Sequence, residues 1–307
     1  NIIRMSRPIN LLIVAMTMYV LRYLILSPIA LGTRAASGLE LNHIEFFLHT
    51  LVVVLLTASG NIINDYFDIK VDKINKPEKV VVGVTVKRRV AMLLNHGLNA
   101  TAVLISAFLS WKHGQIWGLI IPVLIATLLW FYSPIFKKQV LVGNIIVAFC
   151  VAIIPFWTSI YDLHVMQGAV LNEVIFWLSA YTAFAFLISL SREAFKDLED
   201  LEGDRAGEYH TLPLATSIGF AQRYAGLMML LCLIGAAWFY HELGFRLVKD
   251  IFPSLLLITT VFIPGLLAIY FGNINSAKKS FTKASHWAKW TMAGGIICCA
   301  LAGYFYL

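Results

Sequence analysis

The chain has 307 residues, of which 59% are hydrophobic and 13% charged, with a formal net charge of +7. Soluble domains average about 45–50% apolar and about 25% charged residues, so a mean hydropathy of +0.78 excludes a water-soluble core of this size and points to lipid as the solvent. The same composition excludes disordered, collagen-like and disulfide-scaffold chains.

In chain order, apolar windows long enough to cross a bilayer fall at 8–31, 43–64, 90–111, 115–135, 141–161, 172–192, 219–240, 250–271 and 286–307. They lack strict two-residue alternation, so helices are expected rather than barrel strands. The first window is too long for a cleavable signal peptide and has no small-residue cleavage site. Pro122, Pro155, Pro264, Gly294 and Gly295 lie inside windows, as membrane helices tolerate. Cys150, Cys232, Cys298 and Cys299 all sit in apolar stretches without a paired spacing and read as small core residues.

Assigning Lys and Arg alternately to the two sides places 19 of the 24 on the side of the N-terminus. Four (Arg34, Lys112, Arg246 and Lys249) fall on the other side, and Arg22 stays inside the first window. The bias predicts a cytoplasmic N-terminus and a C-terminus outside. The basic character is therefore a topology signal, and no soluble basic face suits nucleic acid.

Residues 64–89 and 192–218 form long segments on the basic side that hold most of the acidic residues. Each follows an even-numbered window, four windows apart, which suggests an internal repeat of about four helices within a single domain, 1–307. The first reads GNIINDYFDIKVDKINKP from Gly60 to Pro77. At helical periodicity Asn61, Asn64, Asp65, Asp68 and Asp72 share an arc of roughly 100°. The second reads SREAFKDLEDLEGDR from Ser191 to Arg205. If helical throughout, it aligns Glu193, Asp197, Asp200 and Asp204 within roughly 60°. Glu199 and Glu202 then point elsewhere and, with Lys70, Lys73 and Lys87, read as solvated loop charge.

Two carboxylates about 5 Å apart repel by roughly 3 kcal/mol at an effective dielectric near 20. A divalent cation relieves that repulsion, and oxygen-only ligands favour Mg²⁺, Mn²⁺ or Ca²⁺ over zinc or copper. The helical spacing is not that of a calcium loop, and Mg²⁺ commonly completes its shell with water and substrate phosphates. Two such stripes facing one cavity suit a diphosphate. The chain carries no nucleophile-elbow, zincin or phosphate-loop motif.

The segment NDYFDIKVD followed by INKP resembles the first aspartate-rich motif of the UbiA family of intramembrane prenyltransferases. REAFKDLEDLEGDR, with HTLP downstream, resembles the second, and FYSPIFKK…GN from Phe131 to Asn144 also fits. The resemblance covers essentially the whole chain. It implies an all-α integral membrane protein: nine transmembrane helices around a central lipid-open cavity, capped by cytoplasmic loops. It also implies a Mg²⁺-dependent transfer, with two ions bridging a prenyl diphosphate, to a lipophilic acceptor.

Carried over, Asn64, Asp68 and Asp72 form the first metal–diphosphate site with Asp65 adjacent. Asp200 and Asp204 form the second with Asp197 supporting. Arg192, Lys137, Lys138 and Tyr132 are expected on the diphosphate, with anchoring of the membrane surface an equal alternative for the two lysines. Arg7 and Asn10 match the family's R-P-x-N start and are expected near an acceptor head group; an interfacial anchor is the alternative. The wording around both motifs is similar to the branch that makes digeranylgeranylglyceryl phosphate from geranylgeranyl diphosphate and a glyceryl hydroxyl. After the first motif those relatives read R-P-x-P-S-G, whereas here Glu78 to Gly83 keeps little beyond the glycine; Lys79 is the candidate for the missing charge on an acceptor phosphate. An aromatic acceptor of quinone or chlorophyll type is the alternative. A reading of another class, an ion-coupled transporter, is disfavoured because coupling sites lie near the midplane, and these carboxylates lie at helix ends.

Overall fold

A computed structural model describes residues 2–32, 39–244 and 250–306. Arg34, Arg246 and Lys249, on which part of the charge comparison rests, and Leu307 at the end of the last window lie outside the described residues. The described chain is built of helices. In order these are α1 (Pro8–Ala30), α2 (His43–Phe67), α3 (Arg88–His113), α4 (Trp117–Tyr132), α5 (Val142–Thr158), α6 (Gly168–Glu199), α7 (Ile218–Glu242), α8 (Ile251–Asn273) and α9 (Lys278–Tyr306). Each apolar window falls on one of them. Among the described residues six, α1, α2, α3, α6, α7 and α8, are long and apolar enough to cross a membrane. The chain is a multi-pass membrane protein. With 16 residues α4 falls short of the roughly 20 that cross about 30 Å of hydrocarbon upright.

Local chemistry sets the helix ends. Asn42 accepts from the Ile44 and Glu45 amides at 3.0 Å, while Glu45 accepts from the Asn42 amide at 2.9 Å, a reciprocal cap that starts α2. Ser217 caps α7 through the Phe220 amide. Within α8 a wide turn at Ile258–Phe262 precedes Pro264, whose missing N–H removes one bond of the regular helical ladder.

α2 packs against α3, α6 against α5, α7 and α9, and α8 against α9. Outward faces stay apolar: Trp111, Trp117 and Trp238 are more than half exposed, as expected of aromatic residues at a bilayer interface. The helices enclose a cavity of about 360 Å³ lined from every helix except α3. Its body is apolar, with Leu56, Ile125, Phe184, Phe239 and Val261 among the walls. All four cysteines are free and line this cavity, so they are cavity wall as well as packing.

The end of the bundle away from the acidic segments is closed by charge. Glu45 there and Asp65 at the other end are twenty residues apart on α2, roughly 30 Å along the helix. Arg22, left unassigned by the charge comparison, is buried and pairs with buried Asp162 at 2.8 Å. It also donates to the Leu41 carbonyl and lies over the Phe46 ring. Asp162 accepts from the Glu40 amide at 2.7 Å. Lys112 pairs with Glu45 at 2.6 Å and His113 bonds Glu40 at 3.0 Å.

Removing one partner of a buried pair strands the other charge, at a cost of about 3–5 kcal/mol. Asp162→Ala should therefore lower the melting temperature in detergent markedly, while Arg22→Met with Asp162→Leu recovers most of the loss. Thermal unfolding followed by size-exclusion chromatography checks this; equal melting of the single and double variants would refute the pairing argument.

Candidate active site

Two helices break at an aspartate in the same way. α2 ends at Asp68 (φ −83°, ψ 4°) and the chain resumes helix over Ile69–Asn75. α6 ends at Asp200 (φ −95°, ψ 10°) and resumes over Leu201–Ala206. The second acidic segment is thus not one continuous helix, which corrects the uninterrupted phasing expected from sequence. The two short helices pack against each other. Asn75 is the clamp: its amide donates to the Asp200 carbonyl and accepts from the Gly203 amide, both at 2.9 Å. Lys278 at the start of α9 donates to the Asn75 carbonyl at 2.9 Å. A Cβ at Gly203 would meet the Asn75 amide at 2.3 Å, so only glycine permits this approach.

Cations are interleaved with the carboxylates. Lys137 donates to Asp68, which is buried, and Tyr209 donates to the other Asp68 oxygen at 3.5 Å. Lys137 arrives there on the 3-10 turn Phe136–Lys138. That turn lies so close to Gly143 that a Cβ would meet the Lys137 Cα at 2.9 Å. Ser133 donates to Asn64 at 3.1 Å, and Asn144 donates to Asp197 at 2.9 Å. Arg7 pairs with Asp65 at 2.8 Å. Lys76 reaches Asp200 at 2.8 Å and Glu199 at 3.2 Å. Glu199 is therefore buried and paired, not solvated as expected, because Lys76 of the first acidic segment is packed against it. Lys70, Lys73, Lys87 and Glu202 are exposed, as expected.

The polar end of the cavity lies beside this layer. Arg7, Asn10, Asn61, Asn64, Tyr132, Arg192, Glu193, Lys196 and Lys289 line it. Glu193 bonds both Arg192 and Lys196. Lys196, Lys76, Asn75, Tyr209 and Lys289 were not singled out from sequence as site residues, and Glu193, aligned there with the aspartates, is taken up by Arg192 and Lys196. Asn75 and Lys76 lie within the INKP segment and Asn144 within the GN segment, so their motif context was visible while their partners were not. Lys138 is exposed, its ammonium 5.7 Å from the Tyr209 ring centre. Lys79 is exposed on a turn that starts at Pro77 and does not line the cavity; the chain turns away from the cavity after the Asn75 clamp.

The electrostatics of this layer suit a bound cation. Burial, with repulsion from Asp68, lifts the Asp72 carboxyl to about 6, against the pull of Lys137. Burial likewise lifts Asp204 to about 7; Lys137 opposes, and Asp200 and Asp68 add repulsion. Burial disfavours charge on Lys137, yet Asp68 holds its ammonium well above the usual range. One Asp204 oxygen is buried with no hydrogen-bond partner. The donors are all oxygens, which suits Mg²⁺. Among the described residues no three His, Cys, Asp or Glu side chains are gathered around one point, so water and phosphate oxygens must supply much of the shell, as Mg²⁺ permits.

Comparison with known proteins gives consistent results. The model of the UbiA prenyltransferase family matches residues 25–305. The digeranylgeranylglyceryl phosphate synthase of Methanothermobacter thermautotrophicus is 35% identical over 226 residues, 73% of this chain and 74% of that protein. A structure from work on digeranylgeranylglyceryl phosphate synthase in membranes aligns with a TM-score of 0.64 at 22% identity, over 98% of this chain and 97% of that one. A UbiA homologue from Archaeoglobus fulgidus bound to GPP and Mg²⁺ aligns at 0.60 and 16% identity, over 97% of this chain and 99% of that one. The two structural likenesses are likenesses of fold.

A metal ion needs its carboxylates unprotonated. Because the Asp72 and Asp204 pKa values are raised to about 6 and about 7, each is partly protonated near pH 6.5 and, as a metal ligand, would lose its proton on binding. Calorimetry in two buffers of different ionisation enthalpy should show proton release with Mg²⁺ at pH 6.5 and almost none at pH 8.5, with affinity weakening as pH falls through 7 and 6. Proton release that is the same at both values would contradict the assignment.

Proposed function

The chain belongs to the UbiA prenyltransferase family, and from that footing we propose that it transfers the geranylgeranyl group of geranylgeranyl diphosphate to the free hydroxyl of geranylgeranylglyceryl phosphate. The observation that carries this reading is the pair of aspartate-centred helix breaks, clamped together by Asn75 beside the polar end of an apolar cavity. The acceptor is supported by the relative's name.

Asn64, Asp68 and Asp72, with Asp65 adjacent, would hold one Mg²⁺, and Asp200 and Asp204, with Asp197 supporting, a second. When bound, Mg²⁺ supplies positive charge to the diphosphate oxygens. Arg192 and Tyr132 face the cavity and are assigned to the diphosphate. Lys137 is held on Asp68, where a diphosphate arriving beside that carboxylate can draw its ammonium onto phosphate oxygens. Such fixed cations stabilise the charge that builds on the departing group. The C1–O bond to diphosphate breaks, the glyceryl oxygen bonds to C1, and the hydroxyl proton is released with pyrophosphate. The apolar walls hold the prenyl chain and keep water from the allylic cation. Lys138 is assigned to the membrane surface rather than to diphosphate.

The charge bias supports nine spans with the N-terminus and both acidic segments cytoplasmic and the C-terminus outside. The matching breaks at Asp68 and Asp200 support one domain built on an internal repeat. Thiol labelling of cysteines placed at Lys76 and Glu208 should mark the cytoplasmic face; labelling from outside would overturn the orientation.

The function is tested by incubating the protein with Mg²⁺, geranylgeranyl diphosphate, geranylgeranylglyceryl phosphate and 4-hydroxybenzoate in competition, with products identified by mass. The ether lipid is expected, and exclusive prenylation of the ring would overturn the acceptor. In the same assay Asp68→Ala and Asp200→Ala should each lower turnover about 10³-fold, equivalent to roughly 4 kcal/mol of transition-state stabilisation. Glu199→Ala, which leaves Lys76 on Asp200, should cost less than about tenfold.

A further inference from the structure

A second cavity, of about 260 Å³, adjoins the polar end of the first and is lined by Arg7, Pro8, Ile9, Asn10, Arg192 and Lys289. It has three cations and no carboxylate in its wall. Lys289 lies on α9 three residues inside the last apolar window, 286–307. A lysine inside an apolar span normally snorkels outward or pairs with an acid. This one does neither: its ammonium donates to the neutral Asn10 Oδ1 at 2.6 Å, while the next residue, Trp290, faces outward and is 65% exposed. Arg7 and Arg192 are close enough to act electrostatically on Lys289. Those two arginines have acids of their own, Asp65 and Glu193. The Lys289 charge is left over.

Arg7 itself is held at φ 54°, ψ 67° immediately before Pro8, a left-handed conformation that costs a non-glycine residue about 1–2 kcal/mol. Its ion pair with Asp65 fixes the guanidinium at the cavity wall against that strain. An uncompensated cation beside two fixed arginines, with no acid in the wall, calls for an anion that binds directly. A diphosphate bridged by metal needs carboxylates and belongs at the layer around Asp68 and Asp204. A phosphate monoester needs none.

We propose that Lys289 and Arg7, with Arg192 shared between the two cavities and so with the diphosphate, form a metal-free site for the phosphate of the acceptor, and that Lys289 is the residue that makes the enzyme prefer a phosphorylated acceptor; this rests on the reading that the acceptor is a glyceryl phosphate lipid. Lys79, the candidate from sequence, is displaced from that role by its exposed position outside both cavities.

The test compares geranylgeranylglyceryl phosphate with its dephosphorylated alcohol at saturating geranylgeranyl diphosphate and Mg²⁺. Wild type should prefer the phosphorylated acceptor. Lys289→Met should raise the KM of that acceptor and reduce the preference by at least about tenfold, with donor KM within about twofold of wild type. Lys289→Arg should restore most of the preference. Asn10→Asp, nearly isosteric, gives Lys289 a carboxylate partner and should reproduce the loss with the lysine still present, so the inference stays testable if Lys289→Met fails to fold. A preserved preference in Lys289→Met or Asn10→Asp, or a rise confined to donor KM, would overturn the assignment. Wild type that shows no preference for the phosphorylated lipid would overturn the acceptor reading and this site together.

Discussion

A carboxylate held among apolar helices must be matched by positive charge, and the acidic end of this molecule is organised by that requirement. Lys137 is drawn onto Asp68, Lys76 onto Asp200 and Glu199, Arg7 onto Asp65, and Arg192 with Lys196 onto Glu193. The matching is incomplete at Asp72 and Asp204, whose carboxyls hold protons at unusually high pH. Structural ion pairs alone need not leave such a deficit. A site that exchanges lysine contacts for metal and phosphate does, since perturbed carboxylates gathered beside a cavity are the usual mark of function.

The two ends of the bundle use charge differently. At the acidic end, partners sit on separate elements joined by short turns, and several ammonium groups remain partly exposed. At the other end, Arg22 and Asp162 are sealed from solvent and tied to the backbone of residues 40 and 41. The first arrangement can rearrange where an arriving cation takes over from a lysine, as at buried Asp68. The second cannot, because opening it strands a buried charge.

Much of the site was legible before any coordinates. Asn64, Asp65, Asp68 and Asp72 were grouped by helical periodicity, and the structure gives side-chain partners to the first three, Ser133, Arg7 and Lys137. Asp197, Asp200 and Asp204 were grouped by the same rule, although it assumed an unbroken helix. Phasing survived the break at Asp200 because only one residue leaves helical geometry before the next turn begins. Glu199 was misjudged because its partner, Lys76, is 123 positions away, and periodicity carries no information about a neighbour from another segment.

Composition, window length and charge asymmetry determined by themselves that the chain lives in lipid and that its two acidic segments share a side. Those properties follow from one-dimensional sums: transfer energies add along a helix, and the basic residues count by segment. Tertiary structure alone decided which cation meets which acid, that Asn75 clamps the two breaks, and that Lys289 rather than Lys79 reaches the cavity. Such choices depend on contacts between residues as far apart as Asn10 and Lys289, whose hydrogen bond spans 279 positions. A half-buried charge is stabilised or stranded by whatever stands within a few ångströms of it, and only the packed bundle specifies that neighbour.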